Sequence, residues 1–392
     1  MKVLVAHNRY RSDAPSGENI VVDHEIDVLR ANGVDIVPLI RESDSIAGLS
    51  AMNKIGVVLG PVRNPQGVHD FRELLASQRP DVVHVHNVYP LLSPWIVREA
   101  KAQNIPVVMT VHNFRLDCVA GTYLRDGKVC TECAGLTIAL PALRHGCYRG
   151  SHLQSVPMVV GRSVHKRTWA SVDRFLALTS FHAQYLRQIG IAEDHIVIRP
   201  TSVADPGEPS PPGRDFLFVG RLGPEKGVDT LLDAWSRSSA SGNGRLLHLV
   251  GDGELRSRAE QAAALDTSIR VHGQLSAEGV KTLMNSCGPV VIPSTWFEGL
   301  PRVLVEALAM GRPPLVSSIG GLEAIVTEAI GWQSPAGHAI ELAAALSALD
   351  DAAIATKGLA ARAAYLREFD ERVTTPQLMN VYTELAPAAL TS

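Results

Sequence analysis

The chain has 392 residues, 46% hydrophobic and 20% charged, with a formal net charge of −3. Its length exceeds what one core usually serves, so two domains are expected, and its charge offers no general grip on nucleic acid. No run of 18 apolar residues argues for a membrane span, and the opening Met1-Lys-Val-Leu-Val-Ala-His enters a strand without a signal-peptide pattern, so a cytoplasmic protein is expected.

The first half alternates strand and helix. Val3 to His7 is a short apolar run, and a polar loop containing Pro15-Ser-Gly-Glu18 follows. Apolar positions at Val22, Ile26 and Leu29 mark a helix that stops at Asn32-Gly33. A strand is expected over 34–39, a helix over 68–76, a buried strand over 81–87 and a helix over 94–103. Pro106-Val-Val-Met-Thr-Val-His-Asn113 repeats the strand pattern, again with histidine and asparagine at its end. This alternation implies a parallel sheet whose ligands bind beyond the C-terminal strand ends, where His86 and His112 fall. His84 reads as a core histidine, His86 equally as core or ligand-edge, and His112 as a ligand-edge residue.

Residues 115–150 interrupt the rhythm and carry Cys118, Cys130, Cys133 and Cys147. A Cys-x-x-Cys pair flanked by two thiols in a reducing compartment favours a structural zinc site, with free thiols close behind and redox roles after them. Cys287 stands apart as a helix-end packing residue. One helix is expected over 158–172, with a basic side at Arg162, His165, Lys166 and Arg167. That side reads as a solvated face or as a grip for lipid phosphate or an anionic membrane surface. Strand, helix and strand then resume at 174–178, 181–190 and 196–198.

Residues 201–214 are rich in proline and glycine and read as a linker. It separates a domain over 1–200 from one over 215–370, with a last helix in 371–392 that could return to the first domain. The second domain's strands are expected to start at Asp215 and to continue at 246–250, 269–272, 290–293 and 314–318.

Its first strand runs into Gly220-Arg-Leu-Gly-Pro-Glu-Lys-Gly227, so Arg221 and Lys226 emerge at the ligand edge, suited to a diphosphate. Pro293-Ser-Thr-Trp-Phe-Glu-Gly-Leu-Pro-Arg302 reads as a strand end, a tight turn and a helix start, closed later by Gly311. Free amides at Gly299 to Arg302 and the helix dipole make an anion site between Glu298 and Glu306. Hydroxyls on carboxylates and phosphate on amides suit a nucleotide sugar.

In that order, Val-Gly-Arg-Leu…Glu-Lys-Gly, Gly-Asp-Gly-Glu, Val-His-Gly and Trp-Phe-Glu-Gly-Leu-Pro…Glu-Ala-Leu resemble the family 4 glycosyltransferases. The Ser-Gly-Glu loop, Asp-Val-Val-His-Val-His and Thr-Val-His-Asn extend the likeness over nearly the whole chain. The cysteine-bearing insertion is similar to that of a subset acting on bacterial polysaccharides. The resemblance implies an α/β GT-B fold, two Rossmann-like domains facing an interdomain cleft. It implies a retaining, metal-independent transfer from a nucleoside diphosphate sugar to a glycan, lipid-linked or small-molecule acceptor.

Residue by residue, it implies that Arg221 and Lys226 hold the diphosphate beside the Gly299, Leu300 and Pro301 backbone. Glu298 faces the donor sugar, Glu306 the ribose, and His112 the transferred sugar. Gly17 closes over the phosphate or acceptor, and Gly273 borders the base. Ser16 stands where the family often has glycine, and Ile330-Gly-Trp-Gln replaces the usual downstream glycine motif. No Asp-x-Asp metal motif stands in a suitable place. A nucleotide-sugar epimerase of the same architecture and a non-catalytic nucleotide-sugar-binding subunit are the alternatives. A nicotinamide oxidoreductase fails because the first strand-turn lacks its glycine fingerprint.

Overall fold

The computed structural model describes residues 1–12 and 16–387; Pro15 of the expected loop lies outside them. The chain divides into two compact units. One comprises Met1–Tyr123, Cys130–Pro200 and Thr374–Ser392, the other Leu124–Val129 and Thr201–Val373.

The first unit is built on β1 (Lys2–Arg9), β2 (Asp35–Glu42), β3 (Val82–Val85) and β4 (Val107–Val111). A separate two-stranded hairpin, β5 (Leu124–Arg125) and β6 (Lys128–Val129), which groups with the second unit, turns at the Asp-Gly pair. The sheet is completed by β7 (Arg174–Ala177) and β8 (Ile196–Ile198). Its order is β2-β1-β3-β4-β7-β8, all parallel, so the order reverses between β1 and β3. Strands β3 and β4 are buried throughout, as expected where helices cover both faces. Leu378, Val381 and Tyr382 of the last helix, Glu371–Leu385, join Val3, Val5, Val22 and Ile26 in this unit's core.

Two helical expectations shift. Ser151 accepts a hydrogen bond from the Gln154 amide and starts a helix at His152, six residues before the expected 158. That helix ends at Val164, because His165 is held by the Val62 carbonyl at 2.7 Å and by Thr168 at 3.1 Å. A separate short turn, Lys166–Trp169, follows. Gly17, expected in a loop, is the first residue of helix Gly17–Ala31, capped by Ser16.

The second unit carries β9 (Phe216–Val219), β10 (Leu247–Val250), β11 (Ile269–Gly273), β12 (Val290–Ile292), β13 (Pro314–Ser317) and β14 (Trp332–Ser334). The order is β11-β10-β9-β12-β13-β14, again parallel. The reversal falls between β9 and β12, and in sheets of this kind that switch point forms the ligand crevice. Strand β14 forms where only a reduced glycine motif was expected.

Helix Arg302–Ala309 follows β12, with Pro301 as its N-cap residue in extended geometry (φ −62°, ψ 129°), one position outside the expected first turn. Leu304 and Leu308 are fully buried against β12 and β13, each adding roughly 1.5–3 kcal/mol. Gly311, at φ 64°, closes it as expected.

Candidate functional site

The crevice end of the second sheet gathers three of the expected residues, in two pairs. Lys226 lies in the turn after β9 and Glu298 in the loop after β12; Lys226 Nζ donates to Glu298 Oε1 at 2.6 Å. Ser294 Oγ and Trp296 Nε1 donate to the same oxygen, each at 2.8 Å. Glu298 is only 7% exposed. Burial alone would raise its carboxyl; the Lys226 charge and the bonds from Lys226, Trp296 and Ser294 outweigh it and hold the carboxyl below its usual value. Glu298 is therefore an ionised acceptor at neutral pH. The Lys226 ammonium also stands 5.2 Å from the Trp296 ring centre.

Arg221 takes a different partner. Its guanidinium bonds the carboxylate of Glu225 in the same turn, while the Arg221 side chain remains 60% exposed. It is thus oriented yet open to an incoming anion. The two loops are stitched by their backbones, the Thr295 amide donating to the Glu225 carbonyl at 2.9 Å.

Two glycines make this close approach feasible. Gly227 has φ 72°, and a Cβ there would lie 1.9 Å from the Pro293 carbonyl oxygen. A Cβ on Gly321 would lie 1.7 Å from the Gly299 carbonyl, and the Gly321 amide donates to the Glu298 carbonyl at 2.8 Å. Any side chain at either position pushes the Glu298–Gly299 loop or the Lys226 turn away.

Glu306 has a partner of its own. It sits one helical turn along from Arg302, whose Nε donates to Glu306 Oε1 at 2.6 Å, both side chains part-exposed. Leu300 packs on the core beneath the helix start. Gly273 ends β11 with φ 66° and receives the Gly251 amide on its carbonyl at 2.8 Å.

In the first unit, His112 follows β4, and its Nε2 lies 3.0 Å from Nδ1 of His86. His86 Nε2 is 3.5 Å from Glu25 Oε1, and Glu25 is paired with the buried Arg199. His84 bonds Tyr382 at 2.6 Å and Thr110 at 2.8 Å, a satisfied core histidine. Burial, with the neighbouring imidazoles and Arg199 adding to it, holds His86 and His112 well below the usual imidazole value, so both are neutral at pH 7. His112, Asn113 and Arg115 line an open cavity with His86 and Tyr89. Glu18 borders this region; burial raises its carboxyl to about 7 against the opposing charge of Arg115 and bonds to Tyr10 and Asn113. Gly17 precedes it at the helix start.

The thiols do not support the zinc expectation. Among the described residues, the one group of three candidate ligands with mutually close donor atoms is Glu25, His84 and His86. Cys118, Cys130, Cys133 and Cys147 do not form such a set, and no cysteine is in a disulfide. Cys133 and Cys147 pack among Val119, Ala142 and Met158, and burial, with the Cys118 and Cys147 thiols adding to it, pushes the Cys133 thiol up to about 11. The Glu25 group fits a cation poorly as well, since Arg199 already neutralises the carboxylate and both His84 nitrogens have partners.

Four contributing side chains escaped the sequence reading, those of Ser294, Trp296, Glu225 and Arg302, the last named there for its amide alone. The spacing Ser294-x-Trp-x-Glu298 and the four-residue step from Arg302 to Glu306 were the available signals.

Residues 17–201 match the family model described as glycosyl transferase 4-like domain, and residues 205–356 that of glycosyl transferases group 1. A phosphatidyl-myo-inositol mannosyltransferase of Mycobacterium leprae is 27% identical over 390 residues, covering 96% of this chain and 95% of that protein. A glycogen synthase of Mycobacterium tuberculosis is 26% identical over 78% of this chain and 69% of its own length. Among solved structures, sucrose-phosphate synthase of Thermosynechococcus elongatus superposes with a TM-score of 0.73 at 19% identity, covering 99% of each chain. Anabaena HepE in complex with UDP-glucose superposes with a TM-score of 0.67 at 17% identity, covering 98% of this chain and 100% of its own.

Proposed function

Because the chain is a glycosyltransferase of the GT-B fold, joining a 4-like domain to a group 1 domain, we propose that it moves a hexose-like sugar from a nucleoside diphosphate to an acceptor hydroxyl with retention. The observation that carries this reading is the Lys226–Glu298 contact at the crevice between β9 and β12. A lysine cation, suited to phosphate, is one hydrogen bond from an ionised carboxylate, suited to sugar hydroxyls, at the point where such sheets bind nucleotides.

In this reading Arg221 and Lys226 hold the diphosphate, with the amides of Gly299, Leu300 and Arg302 and the helix dipole beside them. As the bond from the anomeric carbon to the phosphate oxygen breaks, these groups stabilise the charge left on the diphosphate, the role a divalent metal serves elsewhere. The acceptor oxygen bonds the anomeric carbon on the same face, and its proton passes to the departing phosphate. Glu298 accepts from the sugar hydroxyls. Glu306, braced by Arg302, accepts from the ribose, and Gly273 borders the base. His112, neutral at working pH, hydrogen-bonds the transferred sugar, and Gly17 lies by the phosphate or acceptor.

HepE's complex with UDP-glucose makes a uridine diphosphate sugar the first donor to test. The mannosyltransferase relative supports a lipid-linked or glycan acceptor. A thermal-shift screen over UDP-, GDP-, ADP- and dTDP-sugars finds the donor. Nuclear magnetic resonance of the product then reads the anomer: an inverted product, or an epimerised free sugar without acceptor, overturns the proposal.

A further inference from the structure

We propose that Glu25 and His86 are positioning residues that fix which nitrogen of His112 carries the ring proton, so that His112 meets the donor sugar as a hydrogen-bond acceptor. The site then takes a sugar that offers His112 a hydroxyl and refuses a group that can only accept, such as a carboxylate. The identity of the ligand rests on the transferase reading above; the state of the His112 ring does not.

Four side chains of the first unit form a row that ends at His112. Arg199 Nη1 donates to Glu25 Oε2, and both residues are buried. Burial alone would raise the Glu25 carboxyl; the Arg199 charge and bond, with the neighbouring imidazoles adding to them, outweigh it and hold the carboxyl below its usual value. The other carboxylate oxygen, Oε1, stands 3.5 Å from His86 Nε2, and among the described residues neither atom has a hydrogen-bond partner. His84 Nδ1 approaches the same oxygen at 3.5 Å, but its two nitrogens are taken by the hydroxyls of Tyr382 and Thr110. Glu25 Oε1 is therefore left for His86, whose Nδ1 lies 3.0 Å from Nε2 of His112.

The chemistry of the groups orders the protons along this row. A neutral imidazole has one N–H and one bare nitrogen, and the bond made by one nitrogen decides the state of the other. A carboxylate only accepts, so the His86 proton belongs on Nε2; on Nδ1 it would set a lone pair against a buried negative charge. His86 Nδ1 is then bare, and the proton between the two rings belongs to His112 Nε2. His112, also neutral, keeps a bare Nδ1, which has no partner among the described residues. The ring lines the open cavity with Asn113 and Arg115, and the charge of Arg115 there is opposed by Glu18. A sugar hydroxyl can donate to that nitrogen. A carboxylate or a fluorine brings only lone pairs to it.

Nitrogen-15 magnetic resonance of the histidine-labelled full chain, with His112 assigned through His112→Asn, reads the ring state without any substrate. His112 should carry its proton on Nε2 in the parent and in His86→Gln, whose amide also offers an acceptor and a donor; in His86→Leu the two tautomers should mix. Calorimetric titration then compares UDP-glucose with its four analogues carrying fluorine for the hydroxyl at C2, C3, C4 or C6. One analogue should bind the parent and His86→Gln at least about tenfold more weakly than UDP-glucose, and that loss should shrink below about threefold in His86→Leu. A purely structural role for His86 would weaken all five ligands alike and leave the ratio unchanged, which overturns the proposal. A parent His112 protonated on Nδ1 overturns it as well, and decides the matter alone if His86→Leu does not fold. The predicted ring state in a chain that binds no nucleotide sugar supports the positioning of His112 and overturns the transferase reading instead.

Discussion

Lys226 and Glu298, 72 residues apart in the chain, meet at 2.6 Å where the second sheet reverses its strand order. Ser294 and Trp296 donate to the same carboxylate oxygen, so Glu298 stays ionised although only 7% exposed.

Removing the cation tests its part in leaving-group stabilisation. Lys226→Ala is expected to lower kcat/KM for the donor by about 10²–10³, the range for one preorganised electrostatic donor. It also leaves the Glu298 carboxylate buried without its counter-charge, so the melting temperature should fall. Steady-state kinetics and a melting curve on one preparation read both.

Glu298→Gln keeps the shape but removes the charge that Lys226 neutralises. Turnover should fall by about 10²-fold while donor affinity changes by less than about tenfold, because the lost interaction is with the reacting sugar. A rise in KM alone, with kcat intact, would assign Glu298 to ground-state binding.

Gly227→Ala and Gly321→Ala test the backbone approach. Each added Cβ would lie within 2 Å of a carbonyl oxygen, on Pro293 and Gly299 respectively. Each variant should lose at least about 2 kcal/mol of stability in urea denaturation, and Gly227→Ala, being left-handed as well, should lose more. Unchanged midpoints would mean that the loops are not held as closely as the geometry requires.

The buried histidines set an acid limit. Burial brings His7, His84 and His182 to about 4, against about 6.5 in an unfolded chain. Between those values the unfolded chain binds protons that the folded chain refuses, so stability falls as pH drops from about 6.5 to about 4. Glu18, raised to about 7, acts oppositely over its own interval, but it is one group against three. Melting temperature should drop by more than about 5 °C between pH 7.5 and pH 5; a flat profile would contradict the burial of these rings.

Much of this was legible in the chain because apolar runs end in polar residues where strands reach the ligand edge. Arg221, Lys226 and Glu298 could be named because each follows such a run. The pairing was not legible: Lys226 was expected to face phosphate, and its bond to Glu298 depends on how two loops 72 residues apart are stitched. The break at His165 arises from a hydrogen bond to Val62, 103 residues away, which helical periodicity cannot register. The zinc expectation came from cysteine spacing, which says nothing of where the sulfurs point; the fold places Cys133 and Cys147 among apolar side chains instead. Strand β14 is three residues long, too short for an alternating pattern to show.

The most direct test is calorimetric titration of UDP, and of uridine as control, into the parent chain and into Lys226→Ala and Arg221→Ala, with GDP, ADP and dTDP and their nucleosides in parallel. For the nucleotide that the parent binds, each variant should weaken the diphosphate at least about tenfold while leaving the nucleoside within about twofold. Equal diphosphate affinity in parent and variants would contradict the claim that this crevice grips the donor through Arg221 and Lys226.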